Sequence, residues 1–161
     1  MKKFKDNLGQ EWVLSLNLGK VRKFRDRIGL DLLHPQHHLQ VLQSKTDRLT
    51  FVFMLCEEQS KKYEVNVDEF EERLYGEGFA DAASDAFLED LADFYQRLGE
   101  DGLAGMTVRS LATMRKARKR LVKMMKTGEF TSVLDRAESQ METMKQDEGG
   151  NGSQATEQSA V

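Results

Sequence analysis

From Phe79 to Leu98 the apolar residues Ala83, Phe87, Leu91, Phe94 and Leu98 recur at intervals of three and four. An α-helix, at 3.6 residues per turn, gathers such positions onto one face. Ala80, Asp81, Ser84, Asp85, Glu89 and Asp93 fall mostly outside that stripe, so this helix has one side for a core and one for water. Gly99 and Gly102 are placed to end it. A stripe of this length needs other elements to cover it, and the remaining sequence supplies mainly helices.

The chain opens differently. Lys2 to Lys5 reads as a short strand, Asp6-Asn7-Leu8-Gly9 as a turn, and Glu11 to Leu16 as a second strand. Alternation puts Trp12, Leu14 and Leu16 on one face. Two strands alone are marginal in water, so the ribbon must lean on helices or pair with another chain, which leaves an oligomer open. Asn17 reads as a helix cap, Leu18, Val21, Phe24 and Ile28 follow at helical spacing, and Gly29 ends that helix. Leu30, Leu32 and Leu33 are expected to pack back on the core. A polar loop around His34-Pro35-Gln36-His37-His38 precedes a helix carrying Leu39, Leu42, Leu49, Val52, Phe53 and Cys56. The apolar run 49–55 has strand-like content, yet its helix-favouring flanks decide for a buried helix. A short helix starts at Asn66 with acids in its first turn.

Beyond Gly102, Thr107 reads as the cap of a helix reaching Thr127, with Leu111, Met114, Leu121, Val122 and Met125 on its apolar side. Gly128 separates it from a weaker helix, Phe130 to Met144. The expected class is therefore mainly α: a short N-terminal β-hairpin, a bundle of about five helices and a disordered C-terminal tail. The expected organisation is one domain over 1–128, a weakly packed helix over 129–145 and a polar, glycine-rich tail over 146–161 that buries too little to offset its ordering entropy.

Charge is segregated along the chain. The net charge of -3 is divided into +4 for residues 1–33, +1 for 34–56, -11 for 57–101, +8 for 102–128 and -5 for the remainder. The acidic and basic blocks are expected to attract one another. No stretch approaches the roughly 20 apolar residues of a membrane span, the first residues lack the apolar core of a signal peptide, and Cys56 is the single cysteine. These features place the protein in the cytoplasm.

Candidate chemistry is sparse. His34, His37 and His38 flank a proline in a segment that reads as a polar loop rather than a metal site, since a catalytic zinc needs three protein ligands. Cys56 ends the most apolar segment, where cysteine behaves as a buried hydrophobe. Gly76-Glu77-Gly78 and Gly99-Glu100-Asp101-Gly102 lack the context and the lysine of a phosphate loop. The reading is a non-enzyme with no cofactor and no metal. The basic patch Arg109, Arg115, Lys116, Arg118, Lys119, Arg120 and Lys123 could neutralise phosphates, but it has almost no aromatics for base stacking. Nucleic acid is therefore the runner-up partner.

Lys5 to Trp12, Asn17, Val21-Arg22-Lys23-Phe24-Arg25 and Gly29 to Leu33, with the later segments Phe51 to Gln59 and Ala86 to Phe94, resemble small proteins of bacterial prophage-like clusters. Those proteins are similar to phage tail assembly chaperones, which hold the tape-measure protein soluble while the tail tube assembles. The likeness covers roughly residues 4–98. It implies a helical, apolar protein partner, and Phe79, Phe87, Leu91 and Phe94 are the residues expected to line a groove for it. The alternative for each of these residues is a place in the chain's own core.

Overall fold

The computed structural model describes residues 1–148. Strands β1 (Lys2–Lys5) and β2 (Glu11–Leu14) form an antiparallel hairpin with Phe4 opposite Trp12. Helices α1 (Leu18–Ile28), α2 (Pro35–Gln43), α3 (Lys45–Lys62), α4 (Val67–Glu72), α5 (Phe79–Leu98), α6 (Asp101–Thr127) and α7 (Glu129–Glu148) follow. The chain divides into two compact units, Met1–Met114 and Arg115 onward.

In the first unit the hairpin lies on α5 and α3, and α3 also meets α1, α2, α4 and α5. The ribbon thus leans on helices of its own chain. Its alternation works as expected: Trp12, Leu14 and Leu16 are fully or almost fully buried. The second strand stops at Leu14, two residues before the expected end at Leu16. The Leu16 N–H instead donates to the Asp90 Oδ2 at 2.6 Å, so a helix side chain from α5 takes over where the ladder ends. Gln59 of α3 completes the opposite edge. Its side-chain amide accepts from the Val13 N–H at 2.9 Å and donates to the Val13 carbonyl at 2.7 Å, bonding β2 as a third strand would.

Asn17 caps α1 through the Lys20 N–H, and Gly29 ends that helix at φ +73°, a conformation glycine adopts at low cost. The buried helix over 49–55 is present, but the single helix expected from Leu39 to Cys56 is two. Ser44 divides them: its N–H closes the last turn of α2 and its side chain accepts from the Asp47 N–H to start α3. Pro35 sits in the first turn of α2, where its missing N–H costs nothing. His37 and His38 therefore lie on a helix, which corrects the expected loop.

Helix α5 has the predicted limits, and Gly99 ends it at φ +78°. The next helix begins at Asp101, so Gly102 is inside α6 and Thr107 is not a cap. Ala104, Thr107 and Leu111 are buried at intervals of three and four. That packing holds the helix through two glycines whose propensity opposes it. Gly128, at φ +71°, separates α6 from α7. Helix α7 extends to Glu148 and takes in 146–148, the first residues of the expected tail. The disorder expected of the remaining tail, 149–161, lies outside the described residues.

Candidate functional site

Helix α4 is only six residues long and is held at its start by a capping box between Asn66 and Glu69. Its one buried residue, Phe70, turns inward to meet the Trp12 ring edge-on at 4.8 Å and Phe53 at 5.3 Å. So short a helix cannot cover the whole of α3. A cavity of about 360 Å³ opens between them, within the usual size of ligand pockets. Leu49, Phe53, Phe70, Leu74 and Ala80 form its apolar wall, with Thr46, Thr50 and Glu71 as polar points. Val67 and Tyr75 stand at its mouth, 45% and 70% exposed. Glu71, exposed, is the acidic side chain among its lining, so the site is an apolar groove with an acidic point on its rim.

These are not the groove residues expected from the sequence. Phe87 and Leu91 are fully buried and Phe94 nearly so. Phe87 stacks on Phe51 with centroids 5.5 Å apart, so all three serve the core of the first unit. Phe79 is half-buried at the start of α5. Sequence reasoning missed Leu49, Phe53, Val67, Phe70 and Leu74 as a set because the set spans two helices. Its trace was present as two short repeats, Leu49 with Phe53 and Val67 with Phe70 and Leu74.

The basic patch divides between the units. Arg109 belongs to the first, and Arg115, Lys116, Arg118, Lys119, Arg120 and Lys123 to the second. All are exposed except Arg118, which is half-buried. The acidic block finds partners in the first part of the chain: Lys2 meets Asp93 at 3.1 Å, Lys45 meets Asp81 at 2.8 Å, and Arg27 meets Glu57. Most of these pairs are substantially exposed and each is worth about 1 kcal/mol or less.

The histidines do not converge. His34 and His37 lie ring to ring at 4.7 Å, and the His37 Nδ1 accepts from the Asp31 N–H. His38 is fully buried elsewhere. Among the described residues no group of three or more His, Cys, Asp or Glu side chains is placed to hold a metal ion. Nor is any described helix long and apolar enough to cross a membrane. Cys56 is buried, and burial pushes its thiol up to about 12, so it carries little nucleophilic thiolate at neutral pH.

His38 belongs to a buried polar relay. The Tyr95 hydroxyl donates to the Leu32 carbonyl and lies 3.0 Å from the His38 Nδ1. The Thr107 hydroxyl donates to Leu103 and lies 3.5 Å from the Nε2. With both hydroxyl protons committed, the neutral Nδ1–H tautomer fits, and burial lowers the imidazole below its ordinary value. Burial also raises the Tyr95 phenol, with Asp31 and Glu100 adding to the rise. Protonating His38 therefore favours unfolding. Its contribution is complete above the unfolded value of about 6.5 and is lost as pH falls toward the depressed folded value. We expect the melting temperature to drop over that window and the drop to flatten in His38→Gln. An imidazole resonance titrating at or above the ordinary value would contradict this account.

Comparison with protein-family models, with curated proteins and with solved structures finds no match.

Proposed function

We propose that this protein is a non-enzymatic tail assembly chaperone that binds a helical segment of a tape-measure-like partner and keeps it soluble. The resemblance over residues 4–98 suggests the role. The observation that carries it is the apolar groove between α3 and α4, open at Val67 and Tyr75. A tape-measure protein is long, helical and apolar along one side. One turn of such a helix presents apolar residues at i, i+3 and i+4, the pattern that helix-in-groove recognition uses. The exposed Glu71 on the groove's rim favours a segment whose apolar stripe is flanked by Lys or Arg. An exposed apolar surface bordered by charge holds such a partner while keeping the loaded complex soluble.

The test is co-expression with a tape-measure protein from the same genome. The chaperone should raise that protein's soluble yield and co-purify with it. The double variant Val67→Asp/Tyr75→Asp, altered only at exposed positions, should weaken the complex at least about tenfold while melting as the parent does. Unchanged tape-measure solubility and no recovered complex would refute the proposal.

A second reading, a nucleic-acid-associated accessory protein using helix 109–126, draws on the exposed Lys116, Lys119, Arg120 and Lys123. It requires binding to duplex or single-stranded DNA that weakens steeply with salt and is lost when Arg115, Lys116, Lys119 and Arg120 become alanine.

A further inference from the structure

Helices α6 and α7 carry features that the groove does not use. Past Met114, α6 holds seven Lys or Arg and no acid, and Leu121, Val122 and Met125 on it are 47%, 51% and 66% exposed. Helix α7 has the opposite balance, six acids against two bases, and its Val133, Leu134 and Met141 are 51%, 47% and 59% exposed. Leu121 and Met125 are four residues apart. Leu134, Ala137 and Met141 follow at three and four, the alternation of a coiled-coil seam. Each helix thus has an apolar stripe in water, and the two are of opposite charge.

Among the described residues, the apolar side chains of both stripes stay exposed within one chain. Gly128 alone joins the two helices, whereas an antiparallel helical hairpin turns through about two to five residues. We propose that the stripes are covered by a second copy of this chain, α6 of each protomer lying against α7 of its partner. A two-fold pair of this kind makes the same contact twice and leaves neither stripe exposed. The apolar seam supplies most of the affinity, and the opposed charges select α6 against α7 over α6 against α6 or α7 against α7. DNA fits the surface less well. It would meet the acids of α7 one residue beyond the basic helix and would leave Val133, Leu134 and Met141 in water. This inference does not depend on the chaperone reading, since it uses other helices.

The experiment is sedimentation of the full chain at about 50 µM. The wild type should run at about twice its 18.4 kDa mass. Leu121→Asp/Leu134→Asp should run as a monomer, with the main melting transition unchanged because both positions are exposed. Charge reversal on α6 alone, Lys119→Glu/Lys123→Glu, should also give a monomer. So should reversal on α7 alone, Asp135→Lys/Glu138→Lys. Mixing the two reversed chains should restore a dimer containing one of each, since one α6–α7 contact is then wild type and the other is reversed on both sides. A monomeric wild type, a dimer that survives Leu121→Asp/Leu134→Asp, or reversed chains that fail to pair would each overturn the proposal. A wild-type monomer that binds DNA in a salt-sensitive way would replace it with the nucleic-acid reading.

Discussion

Trp12→Ala is expected to destabilise the first unit by about 4 kcal/mol, the upper part of the range for removing a buried aromatic ring. The indole is fully buried between the rings of Phe70 and Tyr63, at 4.8 and 5.5 Å. Its removal leaves a cavity that the short α4 cannot collapse into, because the capping box at Asn66 fixes where that helix starts. A second loss adds to the first. The indole N–H donates to the Asp6 Oδ2 at 3.0 Å, while the Asp6 Oδ1 accepts from the N–H groups of Leu8 and Gln10. Asp6 is itself buried, with the Arg73 guanidinium 3.6 Å away. One carboxylate thus ties the hairpin turn to the core, and Trp12→Ala leaves one of its oxygens short of a partner in a place where that is costly. The melting temperature should fall by about 15 °C. Trp12→Phe separates the two effects: it keeps most of the ring contact and loses only the hydrogen bond, so it should cost about 1–2 kcal/mol. A loss below about 1 kcal/mol for the alanine variant would mean that Trp12 does not anchor the hairpin. Because Phe70 also lines the groove, partner binding should weaken together with stability.

The same residues explain what the sequence made legible. Periodicity and turn chemistry report single elements, so α5, the cap at Asn17, the helix start at Asn66 and the burial of Trp12, Leu14 and Leu16 could be read directly. The helical choice for 49–55 also holds. Periodicity does not report where one helix becomes two, because the stripe on α2 resumes on α3. The break at Ser44 is set by a side-chain bond to the Asp47 N–H, and serine is too common to mark it. Thr107 looked like a cap because threonine often is one. Its burial against His38 depends on α2, 69 residues away in sequence. The site was the least legible part. The most apolar stripe, Phe87, Leu91 and Phe94, was the natural choice for a groove, yet the strongest stripe in a small domain is the one its own core needs most. The surface left for a partner is a remainder, set by the shortness of α4. No residue announces that.

Arg48 was read only as part of a weakly charged segment, and Arg48→Ala is expected to cost about 3 kcal/mol. The side chain is 5% exposed. Its Nε donates to the Ser84 Oγ at 2.7 Å, and its Nη1 donates to the carbonyls of Val41 and Leu42 at 3.0 and 2.7 Å. Those carbonyls lie in the last turn of α2, where the final carbonyls have no intrahelical N–H to accept from and the dipole is negative. From one turn inside α3 the guanidinium reaches back over the Ser44 break and braces the two helices against α5. Alanine removes charge-assisted bonds worth about 1.5–3 kcal/mol each and strands buried carbonyls. Against this, the desolvation of a buried cation is relieved, which holds the net figure near 3 rather than higher. Arg48→Met tests that balance, since it keeps the apolar stem without the charge. If relief of desolvation dominated, it would be neutral or stabilising; we expect it to cost about 2 kcal/mol, because the two carbonyls remain buried without donors. A double-mutant cycle with Ser84→Ala should return about 1 kcal/mol of coupling. Hydrogen exchange gives the local signature: amides closing the end of α2, such as Ser44 to Gln40, should exchange faster by a larger factor than those of α5. Equal acceleration in both helices, or a total loss below about 1 kcal/mol, would show that packing alone holds the break and that the guanidinium does not.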